Sequence, residues 1–194
     1  MSPDTMHLIL GLGFTFATVV FLLVLLRRGE KTIVLHDAQE DMPDVEALAA
    51  GKQPRGYKLG AQISNGKSTG YGYPGDPTGG GAIGYKGQKL QSTQDFFSHR
   101  SKYVSIALNP DLMNKLWPRS DHEFRNAPIL YSPAIDKRYA KELESMGLQH
   151  VPLVAMDIGP GVKRQQMDIY VPTKEEAFSL PGSPGVNADI LVRS

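Results

Sequence analysis

The chain has no cysteine, one tryptophan and no excess of charge of either sign. Each of these absences removes a class of function. Without cysteine there are no disulfides, no thiolate metal sites, no iron–sulfur ligation and no thiol nucleophile. Lys+Arg 21 against Asp+Glu 20 leaves a net charge of +1, which excludes a generally basic nucleic-acid binder. The five histidines, His7, His36, His99, His122 and His150, form no HExxH and no pair at i, i+4, so a zinc-hydrolase helix is missing. No G-x-S-x-G elbow occurs; Gly182-Ser183-Pro184-Gly185 reads as a turn. Gly60–Ser68 resembles a phosphate loop but has five residues between its first glycine and Gly-Lys where the motif needs four. Asp121-His122-Glu123 reads as a polar loop. Carboxylate pairs for acid–base work are spatial, and no spacing along the chain points to one. No residue is therefore assigned to catalysis, to a cofactor or to a metal.

Long apolar runs are scarce too, with one exception. Leu8–Leu26 is 19 residues without charge or proline. As a helix it rises about 28 Å, close to the thickness of a bilayer's hydrocarbon core. It is read as a transmembrane helix and not as a signal peptide, because no base precedes it and no small-x-small cleavage site follows. All 21 Lys and Arg residues follow Leu26, with Arg27, Arg28 and Lys31 at the membrane edge. The positive-inside rule then places the C-terminal region on the cytoplasmic or matrix side. These three bases are read as topogenic and in contact with phospholipid headgroups, cardiolipin among them. Gly11 and Thr15, four apart, offer a small-residue surface for packing against another membrane helix.

Glycine and proline are abundant in the rest. Together they number 34 of 194, about 17.5% against an average near 12%. Residues 56–87 hold 11 of the 20 glycines and read as an extended segment without a core of its own. Asp41 is expected to cap a short helix closed by Gly51. Ser92 and Asp95 form a capping pair, Tyr103–Leu108 reads as a strand, and Asn109-Pro110 starts a helix that Pro118 stops. Ser132-Pro133 opens the clearest helix, running to Gly147 with Ile135, Tyr139, Leu143 and Met146 on one stripe. Two runs, Val151–Ile158 and Met167–Val171, are expected to pair as a hairpin. Thr173 and Glu176 cap one more turn, after which the C-terminus reads as an irregular tail.

The fold class expected is a single N-terminal transmembrane helix followed by an extended, Gly/Pro-rich, irregular α+β region with short helices and a possible hairpin. Its parts are residues 1–7 across the membrane, 8–26 the span, 27–91 juxtamembrane and glycine-rich, 92–180 a small α+β or partner-dependent region, and 181–194 a tail. That description suits a non-catalytic, single-pass accessory subunit of a large membrane complex, respiratory-chain or ATP synthase. The setting expected is the mitochondrial inner membrane with the C-terminal region in the matrix, or a bacterial plasma membrane with that region cytoplasmic. Its partners would be other subunits and phospholipids, with no nucleic acid. An anchored module recruiting a soluble partner is the alternative, and a membrane-tethered enzyme a third.

Overall fold

The computed structural model describes residues 42–77, 81–181 and 185–194. The run Leu8–Leu26, with Gly11, Thr15, Arg27, Arg28 and Lys31, lies outside the described residues, as does Asp41. Six strands form the frame: β1 (Tyr57–Tyr71), β2 (Val104–Leu108), β3 (Ile129–Tyr131), β4 (Leu153–Ile158), β5 (Gln166–Tyr170) and β6 (Val186–Arg193). They close into a barrel in the order β1-β5-β2-β4-β3-β6. Two pairings are parallel, β1 with β5 and β2 with β4; the other four are antiparallel. Closure gives every strand two neighbours, which is how a small sheet of short strands limits its exposed ladder.

Alternation of side chains explains why the barrel encloses a core. Register pairs Val104 with Leu153, Leu153 with Leu130, and Leu130 with Ile190, and all four are fully buried. Ile106 and Ile169 are paired likewise and equally buried. Along β6, Val186, Ala188 and Ile190 are buried while Asn187 is exposed and Asp189 half-buried, the period of two expected of a strand with one face on a core. Fully burying a valine, leucine or isoleucine contributes about 1.5–3 kcal/mol, so this interior is the main source of stability.

The glycine-rich stretch is not coreless, contrary to expectation. It forms β1, the longest strand, whose first part pairs with β6 and whose end, Lys67–Tyr71, pairs with β5. Changing partners requires a bend, and the register shifts between Ile63 and Gly66, where Asn65 adopts a left-handed φ of 52°. A Cβ on Gly66 would lie 2.3 Å from the Gln165 carbonyl oxygen, so only glycine allows the two backbones to approach there. Low hydrophobicity in this segment marks a strand that bends through a crowded point.

Short helices connect the strands: α1 (Val45–Ala49), α2 (Thr93–Phe97), α3 (Pro110–Leu116), α4 (Pro133–Arg138), α5 (Ala140–Met146) and α6 (Lys174–Ser179). The capping signals place several of them well. Ser92 and Asp95 form the reciprocal capping box of α2, Asn109 caps α3 with Pro110 in its first turn, and Thr173 caps α6. The first helix starts later than expected, with Asp44 as its cap and Ala50 at its end. The Ser132–Gly147 helix is two helices, broken at Tyr139. Ser132 does not cap it; its hydroxyl donates instead to the Asn187 carbonyl of β6, at 2.6 Å. Gly147 ends α5 in the left-handed conformation, as expected of a C-terminal glycine.

Three expectations are corrected. The chain is not an extended region with a hairpin but a closed barrel, because strands distant in sequence satisfy one another's backbones. β4 and β5 do not pair; β2 lies between them, parallel to one and antiparallel to the other. The presumed tail is β6, hydrogen-bonded to both β1 and β3. Among the described residues, moreover, no helix is long and apolar enough to cross a membrane. If β6 is integral, Ile190→Ala opens a cavity in the core. It should cost about 2–5 kcal/mol in a urea unfolding curve, whereas the same change in an irregular tail would leave the midpoint unmoved.

Candidate functional site

The outward face of four adjacent strands carries the chemistry. Register aligns Thr69 of β1 with Asp168 of β5, Asp168 with Ala107 of β2, and Ala107 with Asp157 of β4. Residues paired across strands share a face, so these four stand in one row. The two aspartates flank a small residue and are two strand spacings apart, roughly 10 Å between α-carbons. Both interrupt otherwise apolar strands, in the tripeptide Met-Asp-Ile at 156–158 and again at 167–169.

A β-bulge sets the direction of Asp157. Ile106 pairs with Ala155 and Ala107 with Asp157, so Met156 is the extra residue. Its carbonyl turns away from the ladder and accepts from the Tyr85 N–H and the Gln88 Nε2, each at 2.9 Å. A Cβ on Gly84 would come within 2.4 Å of that oxygen, so glycine is needed for the covering segment to sit this close. The bulge brings Asp157 into the row of outward residues, where an unbroken strand would have placed Met156.

Asp157 is half-buried, and burial raises its carboxyl above the usual carboxylate range. A hydrogen bond from the Ile158 N–H at 2.9 Å and the Tyr71 hydroxyl oppose the shift without cancelling it. Tyr71 ends β1 in register with Tyr170, and their rings meet edge to face at 5.4 Å. Its hydroxyl is sealed from solvent and makes no well-aligned hydrogen bond. Burial, then the charges of Asp157 and Asp168, push its ionisation far up, so Tyr71 stays a neutral donor facing carboxylates.

Asp168 is held differently. Its Oδ1 accepts from the Thr69 hydroxyl and from Gln166 Nε2, the latter at 2.9 Å, and Gln166 Nε2 also lies 3.1 Å from Thr69 Oγ1. The two acids thus occupy different environments: one desolvated, one held by polar donors.

A second cluster joins α4 to the start of β4. His150 Nδ1 lies 2.8 Å from Asp136, whose other oxygen accepts the Val151 N–H at 2.9 Å, and burial raises the Asp136 carboxyl. The Tyr131 ring stacks on His150 at 5.0 Å and its hydroxyl donates to Asp189 at 2.8 Å. His99 and His122 are exposed and apart from it. In the 121–123 loop, the Asp121 carboxylate accepts from the Glu123 N–H and from Asn126 Nδ2, and its carbonyl accepts from the Lys86 ammonium, a polar turn tied to the segment before α2. Among the described residues no group of three or more His, Asp or Glu is placed to hold a metal ion.

Neither aspartate of the row was singled out in the sequence, although a signal existed: a lone acid inside an apolar strand has to be explained by pairing or by chemistry. What the sequence could not supply was their convergence, since residues 69, 107, 157 and 168 meet only through the barrel's strand order.

No family model matches the chain, and no curated protein matches it. Among solved structures it is similar to MltA of Escherichia coli, described as having a unique lytic transglycosylase fold. The match has 17% identity and a TM-score of 0.32, and it covers 58% of this chain and 28% of that one. A variant of the same lytic transglycosylase in an apo form matches at 16% identity and a TM-score of 0.33, over 58% of this chain and 27% of that one. The chain therefore corresponds to less than a third of the length of these structures.

The expectation of a non-catalytic accessory subunit is corrected by the fold. That reading rested on an N-terminal anchor, a glycine- and proline-rich extension and the absence of a catalytic constellation; the described residues instead close into a barrel around a buried core, with two aspartates in one row. The mitochondrial inner-membrane assignment, the plasma-membrane alternative and the anchored-module reading depended on the same picture. They are corrected with it: among the described residues no helix is long and apolar enough to cross a membrane.

Removal of the Asp157 charge checks the environment described for it. A carboxyl whose folded pKa lies above its unfolded value of about 3.9 favours the folded state fully at low pH, and that contribution is lost as pH rises through the folded value. Asp157→Asn should therefore raise the Tm at pH 7 by roughly a few degrees, with the gain vanishing near pH 3. A Tm below that of the parent chain at pH 7 would contradict a desolvated Asp157.

Proposed function

We propose that the barrel is an acid–base catalytic domain that cleaves a glycosidic bond in a polysaccharide. The observation that carries the reading is Asp157: a carboxyl raised by burial, aimed outward by a bulge, in one row with a second carboxyl that is polar-bonded. An acetal oxygen is a poor leaving group until protonated, and a carboxyl whose ionisation is raised by burial is the better placed of the two to protonate it. Asp157 takes that role, giving its proton to the bridging oxygen as the bond to the anomeric carbon breaks.

Asp168 faces the positive charge that develops on the sugar ring. It accepts the proton of the incoming hydroxyl, whether from water or from the substrate itself. Thr69 and Gln166 fix the Asp168 orientation. Tyr170, two residues after Asp168 on the same face and half-exposed, offers a ring for a sugar to stack on.

The test is release of new chain ends from polysaccharides of neutral-sugar, amino-sugar and uronic type, detected by mass spectrometry. Cleavage of one type is expected, with Asp157→Asn and Asp168→Asn each lowering the rate by about 10²–10⁴-fold and the parent rate declining as pH rises above the Asp157 ionisation. Full activity in Asp157→Asn, or a rate that climbs steadily with pH, would sink the assignment.

A further inference from the structure

The Met156 carbonyl that the β4 bulge expels from the ladder takes both of its donors from one turn, residues 84–88. One donor is the Tyr85 N–H, which any residue but proline would supply. The other is a side-chain group, Gln88 Nε2, so it depends on which residue stands there. We propose that Gln88 is a positioning residue for Asp157, its side-chain amide holding the bulge that turns the carboxyl into the acid row. Its effect on the reaction rests on the reading of Asp157 as the proton donor, whereas its hold on the carboxyl does not.

Both ends of the Gln88 amide are in use. Nε2 donates to the Met156 carbonyl at 2.9 Å, and Oε1 accepts the Lys86 N–H at 3.0 Å. A flipped amide would set carbonyl against carbonyl and N–H against N–H, so the two partners fix its orientation. The Gln88 carbonyl in turn accepts the Gly84 N–H at 2.8 Å, and Gly87 takes a left-handed φ of 85°, which closes the turn at a residue that adopts it without strain.

A clamp acts only if its far side is fixed. This turn is anchored to α3 and the loop after it, through groups that do not touch the bulge. The Lys86 ammonium lies 3.6 Å from the ring centroid of buried Trp117 and donates to the Pro118 and Asp121 carbonyls. The Tyr85 hydroxyl donates to Asn114 Oδ1 at 2.6 Å. A brace therefore runs from α3 through the turn to the Met156 carbonyl, one residue from Asp157. Without the Gln88 donor that carbonyl keeps a single partner, and the peptide joining Met156 to Asp157 gains freedom to rotate. The carboxyl then turns toward water and loses the desolvation that burial gives it, while Tyr71 and Asp168, on β1 and β5, keep their places.

The test is a carbon-13 NMR titration of the Asp157 carboxyl in the full chain, in Gln88→Met and in Ile190→Ala, which weakens the fold through the core without touching the bulge. Asp157 should ionise at a lower pH in Gln88→Met than in the parent, and at the parent's pH in Ile190→Ala. On a polysaccharide that the parent cleaves, Gln88→Met should lower kcat about 10- to 100-fold with KM little changed, and the decline in rate with rising pH should begin earlier. Gln88→Asn, whose amide is one methylene short of the carbonyl, should behave in the same way. An unmoved Asp157 titration in folded Gln88→Met, or an equal shift in Ile190→Ala, would overturn the proposal. In the parent chain the Gln88 side-chain amide protons should exchange slowly with water, and exchange as fast as that of an exposed glutamine would overturn it even if neither variant folds. A chain that cleaves no polysaccharide would remove the proposed reaction and leave the titration to decide the role of Gln88.

Discussion

Hydrogen bonding of the C-terminal strand to both β1 and β3 is the constraint on which the rest of the molecule depends. Without β6, β1 and β3 would each carry an open row of amides and carbonyls, and the core residues paired across them would face solvent. Closure also fixes the positions of the other strands. With β6 between β1 and β3, the remaining order places β5 beside β1 and β2 between β5 and β4. The ladder and the core therefore form together, and neither is available to a chain of these short strands in isolation.

This closure creates the candidate site as a by-product of strand order. Thr69, Asp168, Ala107 and Asp157 come from four strands that are neighbours only in the closed barrel. The bulge at Met156 then supplies the local adjustment, held by the segment that includes Gly84, Tyr85 and Gln88. A half-buried carboxyl beside a sealed tyrosine hydroxyl is costly to keep in a fold, and its persistence next to a strand irregularity is the pattern of a site shaped for chemistry.

Local signals in the sequence were read well where short-range physics decides structure. The Ser92–Asp95 box, the Asn109-Pro110 start, the Thr173 cap and the left-handed Gly147 all depend on hydrogen bonds within a few residues. Reading failed where a distant partner intervened. Ser132 has the right position for a cap, but the Asn187 carbonyl of β6 captures its hydroxyl. The runs around 151–158 and 167–171 are strands, but another strand separates them. The alternation Val186, Ala188, Ile190 was present in the presumed tail and outweighed by the glycines and prolines before it.

The sequence by itself determined the exclusion of thiol chemistry, the helix caps, and the presence of strands at 104–108, 153–158 and 166–170, because composition and spacing of a few residues suffice for these. Only the tertiary structure decided that the glycine-rich stretch is a bending strand, that the C-terminus closes a barrel, and that two aspartates eleven residues apart share a face across an alanine from a third strand. The physical reason is the range of the interactions. Caps and turns are satisfied by neighbours in the chain, whereas a ladder, a bulge and a desolvated carboxyl are defined by groups that strand order alone brings together.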